Sequence, residues 1–192
     1  MHLRLHAFEP ASRANGPGLR AVLWLQGCTL NCPGCFNPAT HDPEGGYETT
    51  VEETVREILS RKKQIEGVSF SGGEPFQQPE ALLSLVTRIH AAALTIVIFT
   101  GYTLEEVNRM PLDPAILSHT DMLIAGRYEH AHHMDNNLLA SENQKLHFLT
   151  SSYAPRDLHL LPATEVIVHK DGSITVTGIQ NPLRMSTPRK DP

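Results

Sequence analysis

Leu94-Thr-Ile-Val-Ile-Phe99 is the most strand-like stretch of the chain, and its reading decides the fold. β-Branched and apolar residues follow one another with no polar face, the composition of a strand buried on both sides within a parallel sheet. Such a strand needs crossover connections to its neighbours, and the flanking sequence supplies them. Upstream, Pro79 opens a helix that carries Leu82, Leu83, Val86 and Ile89 along one side. Before that helix, residues 67–70 read as a strand running into Ser71-Gly-Gly-Glu-Pro75. Earlier still, Thr49 and Glu52 have the spacing of a capping box. Val51, Val55, Ile58 and Leu59 then mark one face of a helix that ends at the basic cluster Arg61-Lys62-Lys63. Residues 21–26 (AVLWLQ) form the first strand, entered from the turn residues Asn15-Gly-Pro-Gly18 and left at Gly27.

Downstream of Phe99, Thr100-Gly-Tyr102 precedes a short helix over residues 104–110, and residues 121–125 (DMLIA) supply a fourth strand. Strands alternating with helices of this length imply parallel β-α units. The predicted fold is therefore α/β, a partial (β/α) barrel of mainly parallel strands. Beyond Glu129 the alternation stops in a polar stretch with His130, His132 and His133, which reads as solvated. Residues 164–170 and 173–177 read as strands around the two-residue turn Asp171-Gly172, a C-terminal β-hairpin extension. The final residues, with Pro182, Pro188 and Pro192 among charged neighbours, read as a loose tail. The expected organisation is one domain over residues 1–150, with the extension and tail over residues 151–192.

A chain of 192 residues is long enough for one well-buried core. With 40% hydrophobic residues, 19% charged residues and a net charge of -5, its composition favours neither nucleic acid nor an anionic membrane as partner. The amino terminus interrupts its apolar residues with charge and imidazole, unlike a secretory signal, and no segment approaches a membrane span. These features predict a cytoplasmic protein, in a compartment where thiols stay reduced.

All three cysteines stand in Cys28-Thr-Leu-Asn-Cys32-Pro-Gly-Cys35, directly after a predicted strand. Residues 28–47 are rich in Pro, Gly, Asn and Asp and lack any amphipathic period, so they form a loop long enough to imply a function. An odd number of clustered cysteines in a reducing compartment reads as metal ligands or redox groups. Four-iron clusters normally take one thiolate per iron, so three thiolates leave one iron open to a small molecule. Two other readings stand beside this one. His41 would complete a Cys3His zinc tetrahedron. A redox pair, Cys32-Pro-Gly-Cys35, would leave Cys28 idle and lacks a helix opening at its first cysteine. Trp24, within a strand, is expected in the core.

The Cys-x3-Cys-x2-Cys spacing, followed one β-α unit later by Ser71-Gly-Gly-Glu-Pro75, resembles the radical S-adenosylmethionine superfamily. Within it, Asn15-Gly-Pro-Gly-Leu-Arg20, Gln26-Gly-Cys28 and Cys32-Pro-Gly-Cys35-Phe-Asn37 resemble the small glycyl-radical activating enzymes. Thr100-Gly-Tyr102, Asp121-Met-Leu-Ile-Ala-Gly-Arg-Tyr128 and Asn143-Gln144 are most similar to the activators of anaerobic ribonucleotide reductase. The likeness covers about residues 10–147.

The resemblance implies that Cys28, Cys32 and Cys35 hold a [4Fe-4S] cluster. It also implies that Gly34, Phe36, Gly72, Gly73 and Glu74 belong to the S-adenosylmethionine site, with Glu74 shaping its loop rather than reacting. Reductive cleavage would give methionine and a 5'-deoxyadenosyl radical, which takes a hydrogen atom from a glycine of a partner glycyl-radical enzyme. A small electron-donor protein such as flavodoxin or ferredoxin would supply the electron. Ala125 stands where those activators usually carry Asp, Glu142 where they carry Ser, and the hairpin after Pro162 exceeds their usual length. A second reading therefore keeps the cleavage and sends the radical to another peptide or a small molecule. A third is a non-catalytic zinc-binding scaffold.

Overall fold

The computed structural model describes residues 1–35, 37–136 and 138–179. Phe36 and the tail expected around Pro182, Pro188 and Pro192 lie outside the described residues. The chain begins with β1 (His2–Ser12), β2 (Arg20–Leu25), β3 (Tyr47–Thr50) and α1 (Val51–Ser60). It continues through β4 (Gly67–Gly72), α2 (Pro79–Ala91), β5 (Thr95–Thr100), α3 (Leu104–Val107), α4 (Asp113–Ser118) and β6 (Met122–Ala125). Five short strands follow: β7 (His133–Asn136), β8 (Leu139–Ser141), β9 (Lys145–Phe148), β10 (Thr164–Val168) and β11 (Ile174–Gly178).

Seven strands form one sheet in the order β3-β1-β2-β4-β5-β6-β9. The predicted barrel of mainly parallel strands is corrected here. Three ladders, β2 with β4, β4 with β5 and β5 with β6, are parallel, while three, β1 with β2, β1 with β3 and β6 with β9, are antiparallel. The sheet is mixed, and β3 and β9 are its edges rather than partners closing a barrel. The connections explain the difference. A parallel neighbour needs a crossover of a dozen or more residues, usually helical. Helices α1, α2 and the pair α3 and α4 carry the three parallel links, but only residues 13–19 join β1 to β2, and a β7-β8 hairpin lies between β6 and β9.

Period-two alternation divides the sheet into two faces. Leu23, Leu25, Val68, Phe70, Ile96, Ile98 and Leu123 share one core with Val55 and Ile58 of α1 and with Leu82, Leu85, Val86 and Ile89 of α2. Their neighbours Val97, Met122 and Ile124 face the opposite side, where Leu138, Tyr153 and Leu158 cover them. No helix among the described residues is long and apolar enough to cross a membrane.

The cap of α1 lies one residue beyond its expected place. Thr50 accepts the Glu53 N–H at 3.1 Å, and the Glu53 carboxylate accepts the Thr50 N–H at 3.2 Å. Glu52 instead meets the terminal ammonium of Met1. The C-terminal hairpin is present, but its connection is longer than two residues, with His169 N–H donating to Ser173 O and Gly172 N–H to His169 O.

Arg20 ties the bottom of the sheet together and shows what the Asn15 to Arg20 motif does. Its guanidinium is fully buried and donates to Ser69 Oγ, Pro17 O, Val68 O, Thr95 O, Thr95 Oγ and Tyr153 Oη at 2.7–3.1 Å. Ser69 in turn donates to Asn15 O, and Tyr153 to Glu66 Oε1. Burial lowers the Arg20 pKa, and Tyr153 and Glu66 oppose that shift. One side chain thereby joins β2, β4, β5 and the segment that carries Tyr153.

Candidate functional site

The four parallel strands end on one side of the sheet, and the loops leaving them border a cleft of about 330 Å³. Cys28, Cys32 and Cys35 reach it from the loop after β2, Ser71 to Glu74 from the end of β4, Thr100 and Gly101 from β5, and Gly126 and Tyr128 from β6. Carboxyl ends of parallel strands are the usual place for such a site. Trp24, expected in the core, is half-buried and forms a wall of this cleft together with Phe99 and Leu138. Gly34, between two of the cysteines, is not part of the lining. A Cβ there would come within 2.8 Å of the His130 ring.

The cysteine loop is closed at its base by main-chain bonds. Gly27 N–H donates to Thr40 O at 2.8 Å and Cys28 N–H to His41 O at 3.1 Å. Gln26 Nε2 donates to Ala39 O and Asp42 O. Cys35 N–H donates to Cys32 O at 3.0 Å, turning the chain between the second and third thiols. Gln77 spans from the β4 loop: its Oε1 accepts the Thr29 N–H, and its Nε2 donates to Thr29 Oγ and to Tyr102 Oη. Tyr102 of the Thr100-Gly-Tyr102 motif therefore helps hold the cysteine loop. Asn143 Nδ2 donates to Arg127 O and Gln144 Nε2 to Gly126 O, so the Asn143-Gln144 motif braces the loop after β6.

Gly72 and Gly73 are required by chain packing. At Gly72, with φ 104°, a Cβ would stand 2.5 Å from the main chain of Leu25, and at Gly73 it would stand 2.2 Å from Gly27 O. Both obstacles are backbone, which has no rotamer to yield. Gly73→Ala must therefore push the cysteine loop away from the β4 loop. The expected outcome is a protein that still folds, because the helical core is untouched, but retains less than about a tenth of the wild-type iron after reconstitution.

Glu74 is fully buried and joins two loops. It accepts from Thr100 Oγ at 2.8 Å, Gly101 N–H at 2.8 Å and Phe76 N–H at 3.1 Å. Burial pushes its carboxyl up to about 7, against the pull of those donors and of Arg127. The folded chain thus holds a proton that the unfolded chain releases from pH 4.5, its ordinary value, upward. Native stability contributed by this group is greatest below pH 4.5 and falls until pH 7. Unfolding free energies of the wild type from urea titrations, measured relative to Glu74→Gln, should decline across that window at up to about 1.4 kcal/mol per pH unit and level off above it.

As placed, no three His, Cys, Asp or Glu side chains among the described residues converge closely enough to hold a metal ion. The donor set nevertheless has the chemistry of an iron-sulfur site, three half-buried thiols on one loop lining one cleft. Burial pushes the Cys28 thiol up, and Glu74, Cys35 and Cys32 push it further. Thiolates and a carboxylate gathered this way repel one another, and a positively charged iron-sulfur core offsets that repulsion. His41 does not line the cleft, so it does not stand as the fourth ligand of a zinc tetrahedron there. His132 pairs with Glu129, and His133 meets Tyr128 Oη and Ala140 O, with both imidazoles at exposed positions.

Residues 14–147 match the model of the 4Fe-4S single cluster domain. The chain belongs to that family. Its cofactor is accordingly a [4Fe-4S] cluster. Among its relatives, the anaerobic ribonucleoside-triphosphate reductase-activating protein of Salmonella typhi is 32% identical over 133 residues, covering 66% of this chain and 85% of the relative. That of Enterobacteria phage T4 is 33% identical, covering 71% of this chain and 88% of the relative. The pyruvate formate-lyase-activating enzyme of Clostridium pasteurianum is 36% identical over 63% of this chain, which spans half of that longer protein.

Sequence reasoning about this family member missed what four participants do. Gln77 carries no motif of its own, and Gln26 stands out only within Gln26-Gly-Cys28, with nothing to show that its side chain bonds the main chain of Ala39 and Asp42. Arg127, quoted only as part of the Asp121 to Tyr128 motif, pairs with Glu106 at 2.6 Å and is set over the Tyr102 ring, contacts the motif does not reveal. The fourth is β11, whose residues Thr175 to Gly178 line the cleft from a distant part of the sequence.

Proposed function

We propose that the chain is a radical S-adenosylmethionine enzyme that generates a glycyl radical on a partner enzyme. One observation carries this reading: Cys28, Cys32 and Cys35 share a cleft with Gly72, Gly73 and Glu74 at the carboxyl ends of parallel strands. In this reading the three cysteines hold the cluster, the Gly72-Gly73 backbone and Phe36 receive S-adenosylmethionine, and Gly34, packed against His130, shapes the loop between Cys32 and Cys35 instead of meeting the cofactor. When bound, the cluster supplies the electron for reductive cleavage of S-adenosylmethionine to methionine and the 5'-deoxyadenosyl radical that takes hydrogen from glycine.

The residues of this chain set the stage for that chemistry. Gln77 and Tyr102 fix where the cysteine loop begins, and Glu74 ties the β4 loop to the β5 loop. Trp24, Phe99 and Leu138 supply an apolar wall against water. The relatives' names support anaerobic ribonucleoside-triphosphate reductase as the partner, and a flavodoxin or ferredoxin in the cytoplasm suits the electron supply. Residues 1–150 would form the cofactor-binding unit, extended by the C-terminal hairpin.

Three departures from the activators motivated a different hydrogen donor; Ala125 and Glu142 do not line the cleft, whereas the added hairpin does, through Thr175 to Gly178. Ala125 packs in the helical-side core, and Glu142 is exposed. The partner assignment is tested by mixing the anaerobically reconstituted protein with S-adenosylmethionine, dithionite and anaerobic ribonucleoside-triphosphate reductase. The expected result is a brown protein and a glycyl-radical doublet in the electron paramagnetic resonance spectrum. A colourless zinc protein, or cleavage without that doublet, contradicts it.

A further inference from the structure

The β10-β11 hairpin is a wall of the cleft, and its position rests on contacts with the end of β1. Glu165 accepts from Ser12 Oγ at 2.6 Å and Arg13 N–H at 2.8 Å, Asn15 Nδ2 donates to Thr177 Oγ at 2.9 Å, and His169 lies 3.5 Å from Glu9. All these contacts use one face of the hairpin. Val166 pairs with Val176 and Val168 with Ile174, so these four aliphatic residues share the other face. Val166, Val168 and Ile174 are 58%, 70% and 63% exposed, while Val176 turns into the cleft lining. The exposed strip and the cleft are continuous through β11.

The edge of β11 is open as well. His169 N–H bonds Ser173 O, and in an antiparallel ladder bonded and non-bonded pairs alternate. The N–H and C=O groups of Thr175 and Thr177 therefore point toward β10, and those of Ile174, Val176 and Gly178 point outward. Those outward groups have no main-chain partner among the described residues. A bare edge beside an aliphatic face is the geometry of strand addition.

This inference rests on the functional reading above, which also fixes the occupant. Hydrogen-atom transfer requires contact between the donor C–H bond and the radical, so a glycine in a protein must bring its own main chain into the cleft. We propose that the outer edge of β11, with Val166, Val168 and Ile174, docks an extended segment of the glycyl-radical partner, added as a third strand and leading its glycine to the cysteine side. A glycine-bearing segment in extended form has free N–H and C=O groups to pair with those this edge presents. The radical enzyme thereby selects a protein by its backbone shape near the glycine, and the aliphatic strip reads the flanking side chains.

Two variants, Ile174→Pro and Val168→Asp, test this with the reconstituted full chain. Proline removes one outward N–H, which an edge position tolerates, and aspartate charges the strip. With anaerobic ribonucleoside-triphosphate reductase as substrate, each should raise the half-saturating partner concentration about tenfold, with the maximal rate of glycyl-radical formation kept. Release of 5'-deoxyadenosine without partner should be unchanged. Unaltered partner dependence in both variants overturns the proposal, as does loss of a wild-type dimer with no change in partner dependence, which would make the strip a self-association surface. An equal fall in partner-free cleavage overturns it too, since the hairpin would then serve S-adenosylmethionine itself. A wild-type protein that cleaves S-adenosylmethionine but never radicalises the reductase instead contradicts the functional reading, and with it the occupant named here.

Discussion

Cys32→Ala abolishes the release of 5'-deoxyadenosine from S-adenosylmethionine. The cysteine loop offers three thiols and the chain no fourth cysteine to replace one; His41 lies outside the lining, and His6, the histidine that does line the cleft, is bonded to Gln26 Oε1. With two thiolates the cluster loses a ligand at an iron meant to be held by protein, and the site that opens is a second one. Cys28→Ala and Cys35→Ala should behave alike. The variant should stay folded, because the loop is closed at its base through Gly27, Cys28, Thr40 and His41 main chain rather than through the Cys32 side chain. Chromatography of anaerobic reaction mixtures checks the prediction. Release at the wild-type rate from Cys32→Ala would remove the cysteines from the mechanism.

Arg20→Ala, by contrast, acts on the fold. The buried guanidinium makes six hydrogen bonds, three of them to the carbonyls of Pro17, Val68 and Thr95. Removing it leaves those carbonyls without their donor in a site closed to water and opens a void the size of the side chain. The expected loss is about 3–5 kcal/mol, against a total stability of about 5–15 kcal/mol for a domain. Arg20→Lys should recover part of it, because one ammonium cannot serve acceptors on the β1-β2 link, β4 and β5 at once. Urea denaturation followed by circular dichroism reads the effect directly. A midpoint unchanged in Arg20→Ala would show that the guanidinium network contributes nothing net.

The strands at the centre of the sheet were legible because burial on both faces leaves an unbroken apolar run, as in 94–99 and 121–125. The cysteine loop was legible because its residues form no period at all. Where the structure differs, the reason is local degeneracy or a distant partner. Thr49-Thr50-Val51-Glu52-Glu53 contains two capping-box spacings, and only the extended backbone at Thr50 selects the second. Leu3 and Leu5 alternate with polar residues as a one-sided strand should, yet β1 is framed by His2, Arg4 and His6, which disguise it. Strands β7, β8 and β9 are three or four residues long, too short to establish a period.

The site divides in the same way. Gly72 and Gly73 stand out in sequence, but the backbone of Leu25 and Gly27 that demands them is far away in the chain. Likewise nothing in Thr175 to Gly178 points to a cleft whose cysteines lie some 140 residues earlier. Mixed topology followed from connection length, which the strand patterns alone did not weigh. A short β1-β2 link and a β6-β9 link without an α-helix turn both flanks of the parallel core antiparallel.

The central claim is that the radical made in this cleft takes its hydrogen from a glycine of a protein partner. Isotope transfer measures that step itself. Anaerobic ribonucleoside-triphosphate reductase containing glycine deuterated at Cα is incubated with the reduced, reconstituted protein and S-adenosylmethionine, and the 5'-deoxyadenosine is analysed by mass spectrometry. One deuterium per molecule, accumulating in step with the glycyl-radical signal, is the predicted result. Unlabelled 5'-deoxyadenosine released in full amount would contradict it.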